Sequence, residues 1–202
     1  MDAKGRFWDL WEAGFRKLFK VQPIRPDVED LFYLSKTHYL GKPFEIDGVR
    51  VVRGQPVVEL HVNNTLVARV LREEKNILAS TVKLLQLARK SLPALAERVA
   101  HPEFADVQVL YGITFIHRGI ERLGFEALPI RNRVLAPLTR WYLRQVLRAF
   151  NPDANRLLEA HPDAFVPKLV ATSKKRLILM HGKPGVDAQS IKAASDDKPN
   201  RT

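Results

Sequence analysis

Two short constellations of polar residues, each at the end of an expected strand, carry most of the chemistry open to this chain. The first is Glu59-Leu60-His61-Val62-Asn63-Asn64. On a strand, Glu59, His61 and Asn63 project to one face and Leu60 and Val62 to the other. A row of carboxylate, imidazole and amide can bind a hydroxylated ligand or position an acid–base histidine, with Asn64 in the turn that follows. The solvated face of a half-covered sheet has the same alternation, and alternation by itself favours that plainer reading. The second is His117-Arg118-Gly119-Ile120-Glu121-Arg122, just after Phe115-Ile116. A strand is expected to give way to a helix there, a common place for ligand sites in open sheets. On that helix Glu121 would pair with His117 one turn earlier, and Arg118 and Arg122 would share the next face and hold an anion. An N-terminal turn with an ordinary surface salt bridge accounts for the same residues. The candidate ligand-binding residues are therefore His61, Asn63, Asn64, His117, Arg118, Glu121 and Arg122, with no catalytic residue assigned.

What is missing narrows the chemistry. None of the six histidines stands in His-x3-His or His-Glu-x-x-His spacing, and the chain has no cysteine. No metal site and no cofactor is expected, and disulfides and thiol catalysis are excluded. The Gly-x-Ser-x-Gly elbow, the Gly-x4-Gly-Lys loop and the Gly-x-Gly-x-x-Gly fingerprint are all absent. Most readily recognised hydrolases, NTPases and dehydrogenases are thereby removed.

The elements that must position these residues read as one α+β domain over 23–182. An amphipathic helix over 1–22 precedes it, and a polar tail over 183–202, expected to be disordered, follows. In the first helix Phe7, Leu10, Trp11, Phe15 and Leu18 share a face flanked by Trp8 and Phe19, with Asp9, Glu12, Arg16, Lys17 and Lys20 opposite. Phe7, Trp8, Trp11, Phe15 and Phe19, with Lys17 and Lys20, are the candidates for contact with a membrane surface. Docking on the domain's own core, or on a second copy in an oligomer, suits the same face and is favoured on general grounds.

Residues 31–71 read as a three- or four-stranded antiparallel sheet, with a hairpin turning at Asp47-Gly48 between Phe44-Glu45-Ile46 and Val49-Arg50-Val51. Helix dominates from Thr65 to Ala100, and Pro93 after Ser91 is expected to start a new helix. A strand over 107–115, a short helix over 117–123 stopped by Gly124, and a returning strand over 125–130 form a strand–helix–strand unit, tight for a parallel crossover. A helix over 134–150 carries Arg140, Arg144 and Arg148 beside Trp141, and a last strand over 168–172 leads to a short helix capped by Ser173.

Lys and Arg number 33 against 22 Asp and Glu, a net charge of +11 that favours polyanions without choosing among them. An anionic membrane surface or an envelope precursor is the partner expected. Nucleic acid is disfavoured, because no RRM, KH or helix-turn-helix signature accompanies the spread-out basic residues. No apolar run reaches the length of a spanning helix, and charges interrupt the N-terminal segment where a signal peptide would be continuous. The expected location is cytoplasmic, peripheral to the inner face of the membrane if the first helix meets lipid.

Three stretches together resemble the YkoP-like family of bacterial proteins. They are Tyr39-Leu40-Gly41 through Asp47-Gly48 and Gly54 to Leu60-His61-Val62-Asn63-Asn64; Gly112-Ile113-Thr114-Phe115-Ile116-His117-Arg118-Gly119 into Arg122-Leu123-Gly124-Phe125-Glu126; and Ala171-Thr172-Ser173-Lys174-Lys175-Arg176-Leu177. The family is uncharacterised, and its domain also occurs joined to polysaccharide deacetylase domains. The resemblance implies a link to the cell envelope or its polysaccharides. Together with the net charge and the Trp- and Phe-bearing first helix, it leads to the expectation of a non-enzymatic accessory or binding module at the cytoplasmic membrane face. The resemblance implies no deacetylase activity, since the His-x3-His metal pair is absent and the chain is too short for that domain as well. An alternative is a transferase acting on an activated or phosphorylated substrate, with His61 or His117 as base. The 113–130 unit with its Arg-Leu-Gly-Phe-Glu run resembles the last part of an acetyltransferase, though a Gly-rich pyrophosphate loop is absent.

Overall fold

Short runs of β-branched and aromatic residues, broken by glycine and proline, set where the strands lie. The computed structural model describes residues 21–74, 77–115, 117–130 and 166–183, with Pro137, Trp141, Arg144, Arg148 and Glu159 as isolated positions. The strands are β1 (Gln22–Pro23), β2 (Phe32–His38), β3 (Phe44–Ile46), β4 (Val49–Val51), β5 (Pro56–Val62), β6 (Val109–Thr114), β7 (Glu126–Leu128) and β8 (Lys168–Ser173). The helices are α1 (Asn64–Glu73), α2 (Ile77–Ala100) and α3 (Lys174–His181). The α+β class holds. The N-terminal helix with Phe7, Trp8, Trp11, Phe15, Lys17, Phe19 and Lys20, most of the 134–150 helix and the tail beyond Lys183 lie outside the described residues.

Six strands form one sheet in the order β1-β2-β5-β6-β8-β7. β2 and β5 pair antiparallel from Phe32↔Val62 to His38↔Pro56. β5 and β6 pair in parallel, with α1 and α2 as the crossover, and β8 runs antiparallel to both β6 and β7. The hairpin at Asp47-Gly48 forms as expected, with Asp47 at φ 51 and Gly48 at φ 74. It does not extend the main sheet: β3 and β4 make a two-stranded sheet of their own.

Two helical expectations are corrected. Pro93 lies inside α2 instead of starting a new helix. An interior proline costs roughly 3 kcal/mol through its missing N–H and its clash with the preceding turn. Here the buried stripe Leu84, Ala88, Leu92, Leu95, Ala96 and Val99 runs across it and holds both halves against the core. The helix expected over 117–123 is a 3₁₀ turn, Ile120–Leu123. Gly119 at φ 82 is left-handed, which no right-handed helix can pass through, so His117 and Arg118 stand before the turn. Gly124 at φ 84 ends it, its N–H donating to the Glu121 and Ile120 carbonyls. The strand–turn–strand unit is also wider than expected, because β8 is inserted between β6 and β7.

Alternation gives the sheet two covered faces. Leu34, Val58, Leu60 and Leu110 pack under Leu92, Leu95 and Val99 of α2 and Leu177 of α3. On the opposite face Val57, Val109, Tyr111, Leu169 and Ala171 pack with Tyr39 and with Ile46 and Val51 of the hairpin. The hairpin is tied down by Asp47, which accepts from the Ser173 N–H at 3.0 Å and from Arg176 at 2.8 Å. Ser173 in turn caps α3, its Oγ accepting from the Arg176 N–H at 3.1 Å, as its sequence position suggests.

Candidate functional site

Parallel pairing sets Glu59 of β5 beside Tyr111 of β6, on the face turned away from the helices. The Tyr111 hydroxyl donates to the Glu59 carboxylate. Burial pushes the Glu59 carboxyl above its ordinary range, and the Tyr111 hydrogen bond pulls it only part of the way back. Burial, followed by the neighbouring Glu59 charge and that same bond, pushes the Tyr111 phenol upward, so it remains a proton donor.

Tyr39, just beyond β2, completes the wall. Its ring meets Tyr111 edge-on at 5.4 Å and 88°, and Phe44 at 5.2 Å and 76°. Its backbone is clamped by Tyr39 N–H to Gln55 O at 2.9 Å and Gly54 N–H to Tyr39 O at 2.8 Å, while its hydroxyl donates to the Lys42 carbonyl at 2.8 Å. The ring therefore folds back over Gly41, where any Cβ would collide with the Tyr39 hydroxyl. These rings, Glu59 and the chain from Leu128 to Ile130 bound a cleft of about 790 Å³. Lys42, Glu45 and Arg50 stand exposed at its rim, and Glu45 and Arg50 are register partners across the β3–β4 hairpin. A part-buried carboxylate with a raised proton affinity, walled by aromatic rings, can hold a cation or accept a proton from a bound nucleophile.

A second, apolar cavity of about 60 Å³ lies on the helix side of the sheet, bordered by Leu60, Val62, Leu84, Leu85, Gly112 and Ile113. The β5–β6 ladder ends at Leu60↔Gly112, although β5 runs on to Val62 and β6 to Thr114. A Cβ on Gly112 would sit 2.8 Å from the Leu60 carbonyl oxygen, so glycine permits the close approach where the ladder ends. Ile113 borders both cavities.

The residues singled out in the sequence are not gathered in this cleft. The face shared by Glu59 and His61 is not a plain solvated one: both are part-buried, and a core cluster lies on it. Glu59 lines the cleft, and His61 does not. Burial takes the His61 imidazole down to about 4, so it is neutral at pH 7. Asn63, 3% exposed, is a helix cap: its Oδ1 accepts from the Leu66 N–H at 3.1 Å and its Nδ2 donates to the Asp30 carbonyl at 3.3 Å. Asn64 is the first residue of α1.

His117 bonds to the Val166 backbone, and burial, followed by the Lys168 charge, lowers its pKa. The helical pairing of His117 with Glu121, and of Arg118 with Arg122, has no helix to stand on. Arg118, Glu121 and Arg122 are exposed, and neither cavity is lined by these three or by His117. Among the described residues no group of three His, Cys, Asp or Glu could hold a metal ion, and no helix is long and apolar enough to cross a membrane.

Sequence reading missed Tyr39, Phe44, Arg50 and Tyr111. Their available signals were the Tyr39-Leu40-Gly41 stretch and a lone tyrosine in the strand over 107–115. No solved structure matches the chain. The uncharacterized protein YkoP of Bacillus subtilis (strain 168) is similar, at 25% identity over 123 residues that cover 60% of this chain and 67% of that protein. The YkoP domain profile matches residues 4–181, a span that takes in β5 with Glu59, β6 with Tyr111 and the β8–α3 corner. With nearly all of its length matched in this way, the chain belongs to the YkoP domain family.

Proposed function

We propose that this domain is a ligand-binding module whose working site is the cleft over Glu59 and Tyr111. It serves as a non-enzymatic accessory in cell-envelope or polysaccharide metabolism, at the cytoplasmic membrane surface. The cleft carries the binding part of this reading. A carboxylate kept half out of water, against its own preference for ionisation, marks positions that contact a ligand more often than positions that only hold a fold together. The net charge of +11 and the Trp- and Phe-rich first 20 residues support the membrane part.

Two measurements test it. In flotation with anionic vesicles the chain rises with the lipid, less so at high salt, and deletion of residues 1–22 weakens the effect. No flotation, or flotation unchanged by the deletion, would remove the membrane placement. In an NMR screen of soluble envelope precursors, resonances of Tyr39, Tyr111 and Ile113 shift together. Shifts confined to other faces would remove the cleft.

Glu59 also favours a second reading, a transferase acting on an activated substrate. Its carboxyl can take the proton of a nucleophile bound in the cleft. Glu59 is then a better base than His61 or His117, which line neither cavity. Turnover abolished by Glu59→Gln and retained in His61→Gln and His117→Gln would support it; the reverse pattern would refute it.

A further inference from the structure

The cleft has a more specific chemistry than its size conveys. Its inner carboxylate, Glu59, takes the Tyr111 hydroxyl as a hydrogen-bond donor. An ionised carboxylate can accept about four hydrogen bonds, so this one phenol does not saturate it. The wall beside it is aromatic: Tyr39 stands edge-on between Tyr111 and Phe44. Ring faces attract cations, and more strongly when water is excluded.

An anionic ligand would bring its charge against Glu59. A neutral amide would meet the carboxylate with a weaker, uncharged donor. At the rim, Arg50 is opposed by Glu45 across the hairpin, which leaves the exposed Lys42 as the net charge at the mouth, where solvent screens it.

We propose that the cleft binds a small primary amine in its ammonium form, the nitrogen against the Glu59 carboxylate and the adjoining C–H groups against the Tyr39, Phe44 and Tyr111 rings. This rests on the reading of the cleft as the binding site. It adds the charge and class of the ligand.

The test uses the full chain and calorimetric titration with glucosamine, ethanolamine and glycine methyl ester, each beside its N-acetylated form. At least one amine binds, and its N-acetylated form binds about tenfold more weakly or worse, the scale of one charge-assisted hydrogen bond. Glu59→Gln loses affinity by about the same factor with an unchanged circular dichroism spectrum, while Tyr111→Phe, which keeps the ring, loses less. Equal binding of amine and N-acetylated forms, equal binding by Glu59→Gln, or no binding by any of the three amines overturns the proposal. If Glu59→Gln does not fold, the comparison of amine with N-acetylated form in the unaltered chain decides. Ring resonances separate the two readings. N-acetylated ligands that shift Tyr39 and Tyr111 as strongly as the amines refute amine selectivity and leave the cleft standing. An amine that binds without shifting them refutes both.

Discussion

Asp47 and Ser173 stand 126 positions apart in the chain and are joined by one hydrogen bond, the Ser173 N–H donating to Oδ2 of Asp47 at 3.0 Å. The other carboxylate oxygen takes Arg176 at 2.8 Å, and Arg176 also reaches Glu126 at 3.4 Å. The hairpin carrying Phe44 and Arg50 to the cleft is thus anchored to the β8–α3 corner. The position of that wall depends on a contact whose residues do not themselves line the cleft.

Replacing Asp47 with Ala leaves the backbone N–H of the 5%-exposed Ser173 without its carboxylate acceptor. The expected loss is about 1–3 kcal/mol in urea denaturation, the cost of an unsatisfied buried donor. Burial by itself would push the Asp47 carboxyl up, but the Ser173 N–H and the Arg176 guanidinium together outweigh it and hold the group below its ordinary 3.8. Its folded pKa is lowered, so its contribution is fully present above pH 3.8 and is lost as pH falls through the folded value. Asp47→Asn should flatten that acid limb of the stability curve.

Asn63→Ala removes both the cap on α1 and the tie to Asp30. Cap loss alone costs about 1 kcal/mol, and the Asp30 contact adds to it. Asn63→Asp keeps an acceptor for the Leu66 N–H and should recover part of the loss in thermal denaturation. Equal destabilisation by both variants would mean that the Asp30 contact, not the cap, dominates.

What the sequence disclosed is the local chemistry. Asn63-Asn64 as a strand stop, Asp47-Gly48 as a turn, Gly124 as a helix stop and Ser173 as a cap each depend on neighbours within a few residues, and each is where it was expected. The Glu59–Tyr111 pair was not legible, because the partners of a parallel ladder lie across a two-helix crossover and their register is set by packing beneath both strands. Pro93 was misread for a related reason: the local cost of proline is real, but a buried stripe spanning it overrides that cost. Gly119 misled differently. Its residue type permits either hand of φ, and the hand it takes decides whether His117 belongs to a helix.

His61 should leave its own mark on acid stability. Its imidazole titrates near 6.5 when unfolded and at about 4 in the fold, where burial disfavours the charged form. Between those values the unfolded chain binds the extra proton, so stability is retained above pH 6.5 and declines as pH falls toward about 4. Urea midpoints measured across that window should show the decline in the unaltered protein and a shallower one in His61→Gln.

Glu59 carries the opposite sign, and this separates a functional carboxylate from a structural one. Burial raises its folded pKa above the ordinary 4.5, with Tyr111 offsetting only part of the rise. In the window between the two values the folded chain holds the extra proton, so stability falls as pH rises through it and the full penalty is present once the folded group is ionised. Glu59→Gln keeps an acceptor for the Tyr111 hydroxyl and has no charge to bury. Its thermal midpoint should exceed that of the unaltered protein at pH 7, and the two should converge below about pH 4, where both chains are neutral at this position. The variant that gains stability should be the one that loses the amine, because a residue held for ligand contact is held at the expense of the fold. If Glu59→Gln is instead less stable at pH 7, the carboxylate supports the strands rather than a ligand, and the cleft loses its central residue as a binding group.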